Sequence, residues 1–189
     1  MQNVPKNPDY LRIATEEAFA PPEMIDIYRH ILSKSDADAG FRGLLGFYMS
    51  SSSDRARHIM GCLTDMDVLR LKHMDEAGVD MQVLALTSPG VQVMDAPTAV
   101  EFSRQSNDFL AAAIQRHPTR LAGMIAVSPQ DPAAAAQEIE RGVTRLGMNA
   151  VVINSHTNGE YLSDSKFWDI FAAAEAHDAP IYEGVQNFV

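Results

Sequence analysis

The chain has 189 residues, of which 46% are hydrophobic and 21% are charged. These values exclude disordered, collagen-like and low-complexity proteins and favour one globular domain. Fifteen basic and 25 acidic residues give a formal net charge of -10, which repels phosphate backbones and anionic membranes, so we expect no nucleic-acid or membrane partner. Cys62 is the only cysteine, which excludes disulfide frameworks and multi-thiolate metal sites and suits a cytoplasmic protein.

Hydrophobic spacing in the first 78 residues predicts a strand followed by two helices. Residues 11–14 form a short apolar strand, and a helical stripe over residues 24–32 follows a Pro pair that suits a helix start. The Gly- and Ser-rich stretch 35–53 has no such stripe, so we expect a long loop there of the kind that builds binding sites. One long helix, predicted over residues 54–78, begins at a capping aspartate and ends at a glycine.

The rest of the chain repeats a unit of one strand and one helix. Residues 79–87 are an apolar run with little polar alternation, as expected of a strand covered on both faces in a parallel sheet. Further helices are predicted at 98–116, 131–146 and 167–174, and further strands at 121–127, 150–153 and 179–182. Such alternation implies right-handed crossovers and helices outside a parallel sheet. An open doubly wound sheet and part of a closed barrel both fit, although no G-x-G-x-x-G follows the first strand to indicate a dinucleotide.

Polar residues stand where the predicted strands end, which in a barrel is where active sites lie. Glu16, directly after the first strand together with Glu17, could bind a divalent ion or act as a base, or could be a solvated turn carboxylate. His156 could be a ligand or an acid-base group, or part of a polar turn. Residues 87–90 could donate hydroxyl and backbone N–H groups to an anion, or form an ordinary turn.

The helical segments offer fewer candidates. Tyr48 and Arg55, seven residues apart across a helix start, could grip a carboxylate. Asp131, which precedes a proline, is interpreted as a helix cap rather than a site residue. The remaining histidines are interpreted as surface residues: His30, His58, His73, His117 and His177. These residue types describe an α/β protein with a polar rim that suits an acidic ligand, and they do not name a reaction.

Five segments carry a resemblance to one known family: RIATEEAFA at 12–20, GFY at 46–48, LALTSPGVQ at 84–92, PQDP at 129–132 and INSHT at 153–157. They are similar to segments of the aryl-acid decarboxylases in the amidohydrolase superfamily, and of the 5-carboxyvanillate decarboxylases among them. The resemblance runs from about Tyr10 to Tyr182. It implies an α/β fold that is a partial (β/α)8 TIM-type barrel, made of the first five β/α units.

The activity that the resemblance implies is that of a lyase. The reaction is metal-dependent, non-oxidative decarboxylation of 5-carboxyvanillate, a small aromatic carboxylic acid, to vanillate and CO2 in the breakdown of lignin-derived aromatics. Protonation of the carboxylated ring carbon lets CO2 leave, because the released electron pair restores aromaticity. Mn2+ is the implied cofactor, with another divalent ion as the alternative.

The resemblance also implies site residues. Glu16, two residues before Ala18, matches a metal ligand. Tyr48 and Arg55 match positions that hold the carboxyl region of the substrate, and Thr87 matches a residue that lines the pocket. We therefore expect Glu16, Tyr48 and Arg55 to share one cavity.

The end of the chain departs from the family pattern. The family continues after P-[IL]-Y with one residue and then a metal-binding His-Pro, whereas residues 180–189 read PIYEGVQNFV. We therefore expect a single incomplete barrel domain over 1–189, family-like at 1–182 and with a divergent tail at 183–189, as in a truncated or frameshifted chain. Glu16 alone cannot complete the roughly six ligands that Mn2+ takes. This chain is thus expected to be inactive, and no catalytic residue is assigned.

Three alternatives stay open. The chain could be a non-catalytic fragment or assembly protein that keeps the fold, a half-barrel that closes by dimerisation, or a decarboxylase of another ortho-hydroxybenzoate. Five strands of an eight-stranded barrel leave two unpaired edges and uncovered apolar surface, so we expect self-association into a homo-oligomer.

Overall fold

The sheet has five parallel strands that lie side by side in chain order. The computed structural model describes residues 10–34, 39–154 and 156–184, so parts of the predicted loop at 35–53 and tail at 183–189 lie outside the described residues. The strands are β1 (Ile13–Phe19), β2 (Met81–Leu86), β3 (Leu121–Ala126), β4 (Ala150–Asn154) and β5 (Ile181–Gly184). A sequential order has no switch point, so right-handed crossovers place the helices on one face and exclude the doubly wound alternative. The predicted partial barrel is confirmed, because the described strands form a half-barrel.

Seven α-helices are formed by the described residues. They are α1 (Pro22–Ser33), α2 (Ala39–Ser50), α3 (Asp54–Thr64), α4 (Val68–Ala77), α5 (Ala96–Arg116), α6 (Pro132–Thr144) and α7 (Trp168–Ala176), the last preceded by a 3-10 turn at Ser165–Phe167. The three helices predicted after β2 are confirmed to within a few residues. None of these described helices combines the length and the hydropathy that crossing a bilayer requires.

Helix α2 replaces most of the loop predicted over 35–53, so that prediction is wrong. Phe41 and Leu45 stand one turn apart and are both buried. The Phe41 ring meets the Tyr28 ring of α1 edge to face, with centroids 5.1 Å apart. Burial of this stripe outweighs the low helix propensity of the three glycines in the segment, because tertiary packing supplies most of a helix's stability.

Helices α3 and α4 replace the single helix predicted over 54–78, which is also wrong. The chain turns at Asp65, whose carboxylate accepts hydrogen bonds from the backbone N–H groups of Asp67, Leu69 and Arg70 at 3.0, 2.9 and 3.2 Å. The first turn of a helix leaves such N–H groups without helical partners. Asp65 therefore both ends α3 and caps the start of α4.

Strand β1 begins and ends later than the strand predicted at 11–14, so Glu16 lies within the strand and not after its end. The pairing with β2 is regular from Glu17 to Phe19 and shifts register between Ala14 and Glu17. An edge strand with one uncovered face tolerates polar side chains. The apolar run in the sequence therefore underestimates the length of this strand.

Two glycines allow helices to approach the sheet closely. A Cβ at Gly123 on β3 would stand 2.6 Å from Leu110 Cδ2 of α5, and a Cβ at Gly142 on α6 would stand 2.6 Å from Ile125 Cδ1 of β3. Leu110 and Ile125 have no solvent exposure, so the core lies between the sheet and these helices. Exposed side chains are found mainly on the edge strand β1, whereas β3 and β4 are buried along nearly their whole lengths.

Candidate functional site

Polar side chains meet at the carboxyl edge of the sheet, beyond the ends of β2 and β4. Gln92 donates from Nε2 to the backbone oxygen of Asn154 at 2.9 Å, and both residues are buried. A Cβ at Gly90, whose φ is +64°, would stand 2.8 Å from both Asn154 Nδ2 and Gln92 Oε1. Residue 90 must therefore be glycine for its backbone conformation and for space.

Tyr28 of α1 links the helix layer to the turn after β2. Its hydroxyl donates a hydrogen bond of 2.7 Å to the backbone oxygen of Gly90, and its side chain has no solvent exposure. Burial raises the pKa of the Tyr28 phenol well above its ordinary value. The group therefore stays a neutral hydrogen-bond donor and fixes the turn after β2.

The turn after β3 joins the same edge. Gln130 donates from Nε2 to the backbone oxygens of Val91 and Met94 at 2.8 and 3.1 Å, and its Oε1 accepts from the Ser128 hydroxyl at 3.1 Å. The Asp131 side chain accepts a backbone N–H in the first turn of α6 at 3.0 Å, which confirms that Asp131 is a helix cap. The loops after β2 and β3 are thus bonded to each other.

Glu16 lies on the uncovered face of β1. Phe19 is fully buried against the helices, and alternation along an extended strand puts Glu17 on the helix side and Glu16 with Ala18 on the other. Glu17 is close enough to the buried guanidinium of Arg70 to influence its pKa, which agrees with this assignment. Glu16 is exposed, and it lies on an edge strand of the described sheet.

Tyr48 and Arg55 come from the helices beside β1. Tyr48 is half-buried near the end of α2, and Arg55 is exposed in the first turn of α3. Helix α3 meets the end of β1 at Leu63, whose backbone oxygen accepts from the Ala20 N–H at 2.9 Å, and Arg55 lies about 12 Å along the helix from that point. Among the described residues, no hydrogen bond or ion pair joins Glu16, Tyr48 and Arg55, and their shared cavity stays a prediction.

Thr87 and His156 both lie at the carboxyl edge. Thr87 is half-buried and donates its backbone N–H to the Phe19 oxygen at 2.9 Å, while its own oxygen accepts from the Gly90 N–H at 2.8 Å. His156 is half-buried with a φ of 25°, and its ring lies 6.1 Å from the Tyr161 ring. The structure thus places both residues next to the end of the sheet, and their roles in binding stay predictions.

A cavity of about 490 Å³ opens between the start of α6 and the loop after β4. Gln130, Thr157, Lys166 and Phe167 are among its lining residues. None of the four residues predicted to bind metal or substrate lines it. This cavity is therefore separate from the site that the sequence predicts.

Sequence reasoning missed the hydrogen bond between Gln92 and Asn154. Asn154 carries a usable signal, because it is the polar residue that ends the apolar run of β4. Gln92 carries none, because its partner is 62 residues away in the chain.

The surface interpretation of the histidines is only partly right. His30 and His58 are exposed. The other three are half-buried: His73, His117 and His177. His117 Nε2 lies 2.7 Å from a carboxylate oxygen of Asp67, a contact across 50 residues that local spacing does not show.

The described residues do not fit a complete Mn2+ site. Glu16 supplies one carboxylate, and Ala18 on the same face supplies no ligand atom. Mn2+ favours octahedral coordination by about six mainly oxygen ligands. Within the described ranges, the group of clustered His, Cys, Asp and Glu side chains that could hold an ion lies on α3 and α4 instead. The described residues alone thus cannot hold the ion that the resemblance implies.

Comparisons with known proteins agree with the half-barrel fold. The family model described as amidohydrolase matches residues 25–184. Gamma-resorcylate decarboxylase from Rhodococcus jostii is 31% identical over 186 residues, which cover 93% of this chain and 51% of that enzyme.

Two crystal structures of 5-carboxyvanillate decarboxylases are similar to the chain. The enzyme from Novosphingobium aromaticivorans, with bound manganese and 3-methoxy-4-hydroxy-5-nitrobenzoic acid, has a TM-score of 0.90 and 47% identity over 92% of this chain and 50% of its own. The enzyme from Sphingomonas paucimobilis has a TM-score of 0.84 and 41% identity, covering 92% of this chain and 52% of its own. The chain therefore spans about half the length of these relatives.

Proposed function

Because this chain belongs to the amidohydrolase family, we propose that it supplies the amino-terminal half of the active site of an aryl-acid decarboxylase. The observation that carries the proposal is the position of Glu16. Its carboxylate stands on the open face of β1, two residues before Ala18, in a half-barrel that is similar to a manganese-containing decarboxylase. In this proposal Glu16 is one ligand of the metal, and the other ligands come from outside the described residues.

The proposed substrate is 5-carboxyvanillate. The 47% identity to the Novosphingobium enzyme supports it over the substrate of the Rhodococcus relative, which is 31% identical. Tyr48 and Arg55 would hold the carboxyl region of the substrate, since a phenol and a guanidinium both donate to carboxylate oxygens. Thr87 would line the pocket from the end of β2.

The proposed reaction needs one proton and no oxidant. A proton adds to the carboxylated ring carbon, the bond from that carbon to the carboxylate breaks, and its electron pair restores the aromatic ring as CO2 leaves. Arg55 and Tyr48 would orient the carboxylate for this loss, and correct orientation is a large part of the rate of such reactions. No described residue is assigned as the proton donor.

A fusion protein tests the proposal. Residues 1–182 are joined to the carboxyl-terminal half of the Novosphingobium enzyme, and the consumption of 5-carboxyvanillate and the appearance of vanillate are measured with Mn2+ present. We expect turnover by the fusion and none by the unfused chain, because only the fusion completes the ligand set. Glu16→Gln in the fusion is expected to lower kcat/KM by about a hundredfold or more, since even residues that only support metal ligands contribute about 10- to 100-fold.

The matched control is Glu140→Gln, at an exposed glutamate of α6, which should leave kcat/KM unchanged. Equal activity of the Glu16→Gln fusion and its parent would contradict the proposed role of Glu16. The second candidate substrate is gamma-resorcylate, which is 2,6-dihydroxybenzoate. Faster turnover of this acid than of 5-carboxyvanillate would favour it as the substrate. A folded, manganese-loaded fusion without turnover of either acid would favour the non-catalytic alternative.

A further inference from the structure

Three potential metal ligands meet where α3 turns back into α4. His58 and Cys62 are four residues apart on α3, which places them on one face of the helix, and His73 reaches them from α4. Cys62 Sγ lies 3.6 Å from His58 Nε2 and 3.9 Å from His73 Nδ1. All three ligand atoms lie within 4.8 Å of one another.

These separations are close to those of a tetrahedral zinc site. Zn–S bonds of about 2.3 Å and Zn–N bonds of about 2.0–2.1 Å place a sulfur and a nitrogen ligand about 3.5 Å apart in a tetrahedron. Both observed Sγ···N distances are within a few tenths of an ångström of that value. Small rotations of the side chains would therefore be enough to close the site on an ion.

Hydrogen bonding alone explains this arrangement poorly. A thiol is a weak donor and its sulfur a weak acceptor, so Cys62 can make at most one weak donated and one weak accepted hydrogen bond to the two imidazoles. The rings of His58 and His73 are tilted by 59° with centroids 5.6 Å apart, so they are not stacked on each other. Two imidazoles that converge on one sulfur are an arrangement in which a metal ion can satisfy all three groups.

The backbone that carries these ligands is held in place by Arg70. Its Nη2 donates to the backbone oxygens of Cys62 and Ala18 at 3.1 and 2.9 Å. Arg70 lies on the helix side of β1, so the cluster is on the opposite side of the strand from the Glu16 side chain. The site is therefore preorganised and distinct from the one proposed for catalysis.

We propose that His58, Cys62 and His73 bind a Zn2+-class divalent cation, with water as the fourth ligand. Thiolate and imidazole donors select zinc and related ions, whereas manganese favours oxygen donors. His58 is exposed and the other two ligands are half-buried, so an ion and a water can reach the site. Binding joins α3 to α4 and adds stability in proportion to the metal's occupancy.

Cobalt titration of the untagged, reduced full-length chain tests the proposal. Co2+ replaces Zn2+ in such sites, and a cysteine ligand gives a thiolate-to-cobalt charge-transfer absorption in the near ultraviolet. Cys62 is the only cysteine of the chain, so the band can arise at this residue alone. We expect it to saturate at one equivalent, to disappear when Zn2+ is added and to persist in excess Mn2+.

Variants separate this site from other metal binding. Cys62→Ser should abolish the band, and His73→Gln should weaken Co2+ affinity by about tenfold or more. His30→Gln, at an exposed histidine of α1, and Glu16→Gln should leave both the absorption band and the Co2+ affinity unchanged. Circular dichroism first establishes that each variant is folded, and Zn2+ should raise the urea midpoint of the parent more than that of His73→Gln. A folded parent without the band, or equal affinity in the parent and His73→Gln, would overturn the proposal.

Discussion

The Asn107 side chain of α5 makes three hydrogen bonds in the core. Its Nδ2 donates to the Ala126 backbone oxygen at 2.9 Å and to the Glu138 carboxylate at 2.7 Å, and its Oδ1 accepts the Ala126 N–H at 2.8 Å. Glu138 is buried and also accepts from Arg141, whose pKa this hydrogen bond raises above the ordinary value. One amide therefore serves both the end of β3 and a buried carboxylate.

Asn107→Ala should lower the free energy of unfolding by about 2 to 4 kcal/mol, because it leaves buried polar groups of β3 and Glu138 without a partner. Urea denaturation of parent and variant measures the difference. Asn149→Ala, at an exposed asparagine, is the control and should change stability by less than about 0.5 kcal/mol. Equal losses in the two variants would show that the buried network is not the cause.

At the scale of elements, Arg70 joins α4 to both of the first two strands. Its guanidinium donates to the Asp65 backbone oxygen at 3.0 Å, to Gln82 Oε1 at 3.0 Å and to the Ala18 backbone oxygen at 2.9 Å. Burial lowers the pKa of Arg70, and the nearby charge of Glu17 opposes that change. The start of α4 is thus fixed against β1 and β2 through one side chain.

Arg70→Met should lower the free energy of unfolding by about 3 kcal/mol or more, since the substitution keeps the length of the side chain and leaves buried acceptors unpaired. Arg70→Lys should recover only part of the loss, because an ammonium group lacks the planar fork of donors. Arg29→Met, which removes an exposed ion pair on α1, should cost less than about 1 kcal/mol. A loss for Arg70→Met as small as that for Arg29→Met in urea denaturation would contradict this view.

The later strands and helices could be predicted from the sequence because their signals are local. The side-by-side order of the strands followed only from the resemblance, since hydrophobic spacing also fitted a doubly wound sheet. Helix α2 could not be predicted, because its stability depends on the burial of Phe41 and Leu45 against another helix. The meeting of Cys62 with His73 could not either, since on one continuous helix they would stand about 16 Å apart. Only the turn at Asp65 folds the second helix back onto the first.

The same difference between local signals and long-range packing applies to the candidate site. The face of Glu16 can be inferred from alternation relative to Phe19, which is a property of neighbouring residues. The positions of Tyr48 and Arg55 relative to Glu16 depend on how α2 and α3 pack, and no local pattern gives that. Resemblance to a family supplied their roles, and the described contacts do not join them.

At the scale of the whole molecule, β1 and β5 are the edges of the described sheet. Ile13 on β1 is 48% exposed, so an apolar side chain stands on an unpaired strand. Edge strands of this kind pair with other chains unless charge or a covering element prevents it. We therefore expect the isolated chain to self-associate through this edge.

Ile13→Lys should weaken self-association by about tenfold in Kd, because a charged edge residue disfavours pairing. Sedimentation velocity over a range of concentrations measures the change. Val68→Lys, at an apolar residue of α4 that is 79% exposed, carries the same charge away from the edge and should leave the Kd unchanged. A monomeric parent, or the same shift in both variants, would contradict pairing at β1.

The alternation of side chains along β1 gives its two adjacent glutamates unequal tolerance to mutation. Glu17 faces the helices and the buried Arg70, so a library screened for folding alone should reject most replacements there. Glu16 faces away from the core, so the same screen should accept nearly any polar residue at that position. A selection for catalysis by the completed barrel should restrict position 16 as well. Comparison of the two screens would then distinguish residues required for folding from residues required for catalysis at adjacent positions.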